Sequence, residues 1–206
     1  DFSNTWVIIP GKSRPMLQSE YSTSIATAHQ LQLISLDVGA DYTLVGDIDM
    51  TSAFVANDGG YYGDVWGNAG FVTIGTGVDP FTGSLDGLDH EIAGLTVNGG
   101  GGTYKGLFGS VRGASFSNFG LVDATVTGGA YVGALAGYAW DGSTFTNVHA
   151  GGSVTASSGY TGMLVGSLNG GSMTYSSSSG SVTALDTAGN AGGLAGQTTK
   201  TTMLDQ

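Results

Sequence analysis

Valine and hydroxyl residues alternate in short bursts along this chain, and the bursts recur. In "ATVTG", Val126 points one way while Thr125 and Thr127 point the other, as successive side chains do along a strand. The same trio returns as Thr96-Val97-Asn98, Ser153-Val154-Thr155 and Ser181-Val182-Thr183, with the valines 29, 28 and 28 residues apart. A second phrase alternates with the first: "YKGLFGS" from Tyr104, "YVGALAGY" from Tyr131, "YTGMLVGS" from Tyr160 and "NAGGLAGQ" from Asn190. Its closing glycines, Gly109, Gly137, Gly166 and Gly196, are spaced by 28, 29 and 30 residues. A fixed period of this length signals stacked structural repeats.

The pattern decides between helical and β repeats. The chain holds 38 glycines in 206 residues, and each Gly inside a helix costs about 1 kcal/mol relative to Ala. A β-solenoid therefore fits: valines stack into an interior ladder, hydroxyls into an exterior one, and glycines mark places needing φ > 0 or close approach to the next coil. We read the fold as all-β, a β-solenoid with a short N-terminal helical cap. At about 4.8 Å per coil, four to seven coils give a rod of roughly 20 to 35 Å.

Before residue 100 the pattern loosens. Ile25, Ala28, Leu31 and Ile34 follow a helical spacing, with Ser22 to Ser24 as N-cap candidates and Gly39 as a stop. Such an element would cap an open solenoid end. "DYTLVGDIDMT" reads as the next strand, and Ala53 to Gly70 as a long excursion rich in Gly, Asn and Asp. The organisation is one continuous domain: residues 1–50 as cap and first strands, 51–100 as irregular coils with the long loop, 101–206 as the regular repeats.

Composition narrows the function. Sixteen acidic against five basic residues give a net charge of −11, which disfavours nucleic acid and anionic lipid as partners. Cysteine is absent, so disulfides and thiolate metal sites are excluded. No apolar run approaches the roughly 20 residues of a membrane span. The start, "DFSNTWVIIPGKSRP", lacks the charge and apolar length of a signal peptide. Its first residue, Asp1, suggests a mature or excised fragment.

The ordered landmarks "AHQLQLISLD", "YTLVGDIDM", "FVTIG", "FTGSLDGLDHEIAGLTVNG" and "YKGLFG", followed by the repeats, resemble the GLUG-repeat module of filamentous-haemagglutinin-like adhesins of bacterial two-partner secretion. The resemblance runs from about Trp6 to Gln197, with Asn190 standing where a Tyr is usual. It implies a right-handed parallel β-helix forming a secreted or surface-attached stalk that adheres to host cells or biofilm-matrix polysaccharide. It also implies an outer-membrane transporter as partner of the full-length protein. It supplies no catalytic motif, and the chain shows no G-x-S-x-G elbow and no P-loop spacing.

The site candidates are few. Tyr61, Tyr62 and Trp66 in the excursion, and Tyr138 and Trp140 in the repeats, could stack on sugar rings; equally, they could cover the coil beneath. Asp47 and Asp49 share one strand face opposite Ile48, and with Asp58 and Asp64 they offer oxygen ligands for calcium, the one candidate ion. Asp49 and Asp47 also suit a structural turn. Asp86, Asp89, His90 and Glu91 form a cluster that reads either as a corner or as catalytic groups on an outer face. The alternatives to an adhesin are a lyase or hydrolase acting on polysaccharide, an ice-binding face built on the hydroxyl ladder, and a passive spacer. A carboxylate-lined groove would favour the enzyme; outward aromatics without convergent carboxylates would favour the binder.

Overall fold

The computed structural model describes residues 5–54, 65–67, 70–187 and 189–204. Its elements, in chain order, are β1 (Trp6–Val7), β2 (Met16–Leu17), β3 (Ser24–Ile25), α1 (Ala28–Leu33), β4 (Asp41–Leu44), β5 (Ile48–Asp49), β6 (Ser84–Ala93), β7 (Thr96–Asn98), β8 (Phe108–Arg112), β9 (Ser115–Gly128), β10 (Ala136–Ala156), β11 (Tyr160–Gly162), β12 (Val165–Thr174), β13 (Ser177–Ala184), β14 (Asn190–Gly192) and β15 (Ala195–Leu204). The fold is a parallel β-solenoid of about four turns. Its main sheet runs β15-β12-β10-β9-β6-β4-β3, with every pairing in it parallel.

The valine ladder is interior and in register: Val97 beside Val126, Val126 beside Val154, Val154 beside Val182. The first three are buried. A larger ladder fills the opposite part of the coil, where Leu85, Phe116, Phe145 and Met173 stack rung on rung. Phe116 and Phe145 lie nearly parallel, 5.2 Å apart, and Phe81 and Phe108 close the stack at 4.6 Å. Burying such rings is worth about 1.5–3 kcal/mol each. Hydroxyls line the outside, as the alternation requires.

The glycines closing each phrase act by close approach. None of Gly109, Gly137, Gly166 or Gly196 has positive φ. A Cβ on Gly137 would lie 2.5 Å from the Tyr131 carbonyl oxygen, and one on Gly166 2.5 Å from that of Gly137. Left-handed corners fall on other glycines, such as Gly113 and Gly142, and on side-chain-bearing residues, among them Tyr104, Tyr131, Asn118, Asn147 and Tyr175 with φ between 54° and 58°. Asn tolerates that region best after Gly. It also forms a ladder here: Asn147 Nδ2 donates to Asn118 Oδ1, and Asn118 Nδ2 to Asp86 Oδ1, each at 3.1 Å.

The N-terminal cap differs from its sequence expectation. The helix spans only Ala28–Leu33, and its cap is Thr27, whose hydroxyl accepts from Gln30 N at 3.2 Å. Ser24–Ile25 is a strand paired to β4, because Ile25 gains more by joining the core ladder above Leu44 than by opening a helix. Gln32 is fully buried in α1. Its Oε1 accepts from Trp66 Nε1 at 2.8 Å and Val72 N at 2.9 Å, while its Nε2 donates to Val72 O at 2.8 Å. One amide thus clamps the helix to the segment that closes the first coils.

Candidate functional site

The phrase tyrosines and their neighbours converge outside the solenoid. Tyr104, Tyr131 and Tyr160 occupy equivalent places on successive coils, since Lys105 bridges Val132 and Val132 bridges Thr161 in parallel. Their ring centroids are 5.2 and 5.3 Å apart. Tyr138, on β10, stacks on Tyr104 at 5.5 Å and 22° and contacts Tyr131 at 5.6 Å. Trp140, two residues on and so on the same face, continues the stack at 6.4 Å. The guanidinium of Arg112 lies 5.6 Å over the Trp140 ring, a cation–π arrangement. All five rings are half-buried. The sequence fold explains the convergence: a left-handed corner at Tyr104 and Tyr131 turns each side chain outward, and strand alternation places Tyr138 and Trp140 beside them.

Polar groups edge this face. Asn169, in register with Trp140, donates from Nδ2 to Tyr138 Oη at 3.2 Å, and Ser167 donates to Gln197 at 3.3 Å. Burial and the neighbouring phenols push the Tyr131 pKa up, so its hydroxyl stays a neutral donor and acceptor. Aromatic faces with hydrogen-bonding groups at their rim match the apolar C–H faces and equatorial hydroxyls of a sugar.

The remaining candidates fall elsewhere. Trp66 is a correction: it is 1% exposed, hydrogen-bonded to Gln32 and packed against His29, Phe54 and Phe71 at 5.8, 5.4 and 5.7 Å. Its ring fills the core and offers no face to a ligand. Tyr61, Tyr62, Asp58 and Asp64 lie outside the described residues. Asp47 and Asp49 do flank an inward Ile48, and each is engaged within the fold. Asp47 accepts from Glu91 N and His90 Nδ1 at 3.0 Å, and Asp49 from Thr51 N and Oγ1 at 2.9 and 2.6 Å. These bonds hold both carboxyls below the usual carboxylate range. Among the described residues no group of three or more His, Asp or Glu is gathered closely enough to hold a metal ion.

Asp86 is a corner residue, accepting from Leu88 N as well as from Asn118. Asp89 and Glu91 instead line a cleft of about 590 Å³, together with Asp123, Asn118, Asn147 and His149. Gly120, Gly151 and Gly152 also line it, so the cleft is open because its rungs lack side chains there. The His149 ring pairs with Ser177 Oγ at 2.7 Å.

Three comparisons bear on this architecture. No protein-family profile matches the chain. The chain is similar to Halomucin of Haloquadratum walsbyi, with 36% identity over 129 residues, 60% of this chain and 1% of that protein. It is also similar in fold to a crystal structure from Bacteroides ovatus whose protein carries the provisional name immunoglobulin A1 protease. That likeness has a TM-score of 0.66 and 22% identity, covering 85% of this chain and 52% of the other. The chain therefore spans about half of the one and a small fraction of the other. The second likeness shows the fold, a β-solenoid. No described helix is long and apolar enough to cross a membrane.

Proposed function

We propose that this chain is a module of a secreted or surface protein that binds polysaccharide through the Tyr104–Trp140 face, adhering without covalent chemistry. The observation that carries this reading is the cluster of five partly exposed rings gathered on one side of the solenoid. The similarity to a protein named as a mucin agrees with an extracellular setting, as does the resemblance to GLUG-repeat adhesins. In that family's arrangement the full-length protein would reach the surface through an outer-membrane transporter.

A second reading has its own observation. The cleft with Asp89, Glu91, Asp123 and His149 is the kind of carboxylate-lined groove that a polysaccharide lyase or hydrolase on this fold would need. A glycan array, run beside a hydrolase and lyase screen on the bound glycans, separates the two. Binding lost in Trp140→Ala and retained in Glu91→Gln supports the adhesin. Cleavage of any glycan, abolished in Glu91→Gln, would replace it with the enzyme.

A further inference from the structure

The tyrosine ladder has a repeat, and the repeat selects a ligand. This step rests on the carbohydrate reading above and specifies it. Tyr104, Tyr131 and Tyr160 supply one ring per coil, at 5.2 and 5.3 Å. The spacing is fixed by backbone bonds between coils, Lys105 N to Tyr131 O at 3.0 Å and Val132 N to Tyr160 O at 2.9 Å. The rings are tilted 51° and 56° to one another, and Tyr138 lies over Tyr104 at 22°, so a ligand meets the uncovered part of one ring per coil.

A sugar chain that keeps contact with such a ladder must advance by one residue per coil and stay straight. Pyranose units joined through equatorial bonds at both ends, as in β-1,4-linked glucans and their relatives, form a flat ribbon whose residue length is close to the separation of neighbouring strands. Axial linkages, as in α-1,4-glucans, curve the chain away within a few residues. We infer that the face takes a linear, equatorially linked polysaccharide lying parallel to the solenoid axis, one sugar residue on each tyrosine.

The ladder also has an end. Asn190 is the residue in register with Tyr160 on the following coil, so the row of rings stops at three. Tyr138 flanks the first two and Asn169 bonds its hydroxyl, giving that end of the face its polar rim. A three-ring row predicts a binding site about three sugars long.

Isothermal titration calorimetry with cello- and malto-oligosaccharides of two to six units tests this, because the two series share glucose and differ only in linkage. The expected result is a preference of about tenfold or more for the β series, with affinity rising to the trimer and levelling beyond it. Tyr131→Asn, which keeps a residue suited to the left-handed corner, should lower affinity about tenfold, the size of one aromatic contact. Asn190→Tyr should move the plateau from three units to four. Equal affinity for both series, or a plateau that Asn190→Tyr leaves in place, overturns the register inference while leaving glycan binding intact. Absence of binding to every glycan on the array overturns the carbohydrate reading and this inference with it.

Discussion

The two ends of the rod are built on different principles. At the N-terminal end, α1 and the segment around Trp66 close the core with large, fully buried side chains: Trp66, Tyr42, Phe71 and Phe81. Specific polar bonds from Gln32 tie them together. At the other end the last described coil has small residues over its interior: Val182, Leu194 and Ala195 are only partly buried, and Leu185 is 67% exposed. In a solenoid each coil contacts only its neighbours, so stability is a sum of coil and interface terms. The capped end contributes much from few residues. The last described coil contributes little per residue and relies on the coil beneath.

The comparison is broken most severely at Trp66. Trp66→Ala removes a ring in contact with three others and leaves the Gln32 carbonyl short of a donor. The expected loss is about 3–5 kcal/mol, read as a fall in the urea midpoint. Because the clamp joins the helix to the coil edge, hydrogen exchange should accelerate first in α1 and β4. A loss below about 1 kcal/mol would mean that the cap is ornamental and that the repeats stand alone.

A smaller effect is expected midway along the rod. Asn147→Ala leaves an alanine in the left-handed region, at about 1–2 kcal/mol, and breaks the bond to Asn118. Asn147→Gly restores the backbone freedom and should recover most of that loss. If the Ala and Gly variants are equally destabilised, the ladder bond and not the corner geometry is what the asparagine supplies.

What could be read in the sequence follows this division. The repeats were legible because a period of 28 to 30 residues exposes the inward valines without any knowledge of contacts, and each of those pairings is present in register. The expectation that Ile25 begins the helix failed because helical spacing and strand burial cannot be told apart in four residues when a neighbouring strand, β4, waits to pair. Trp66 stays open between its two readings for a related reason. Its partner Gln32 lies 34 residues away, and nothing local distinguishes an indole aimed inward from one aimed at solvent. Tyr138 and Trp140 were legible as candidates. Their companions Tyr104, Tyr131 and Tyr160 were present in the repeated phrase, yet a tyrosine at a left-handed corner is unusual enough that the phrase read as interior architecture.

Alkaline titration sharpens the comparison. Burial, the hydrogen bond with Tyr21 and the nearby Tyr21 and Asp37 charges push the Tyr42 pKa well above its ordinary value, and Tyr42 Oη donates to Asp37 O at 2.6 Å. The folded chain keeps this proton where the unfolded chain has lost it. The stabilisation is therefore complete below about pH 10 and declines as pH rises further, by up to about 1.4 kcal/mol per unit. Tyr131 shifts the same way but is half-exposed, so its share is screened. Denaturation midpoints measured between pH 9 and 11.5 should show a steep decline that Tyr42→Phe flattens and Tyr131→Asn barely alters. Equal flattening by both would place the alkaline weakness in the repeats.

The smallest effect belongs to the last described coil. Val182 continues the valine ladder beyond Val154, but only one side of it is covered by a coil in the described structure. Val182→Ala should therefore cost about 0.5–1 kcal/mol, while Val126→Ala, with valines packed on both sides, should cost about 2 kcal/mol or more. The two substitutions delete the same atoms from the same ladder, so their difference isolates the value of having a neighbour on each side. Urea titration of both variants measures it. A matched loss would mean that Val182 is covered as well as the central valines, which requires a partner for the free edge of β13 in solution. A smaller loss at Val182 would show the last described coil as the place from which this chain unzips.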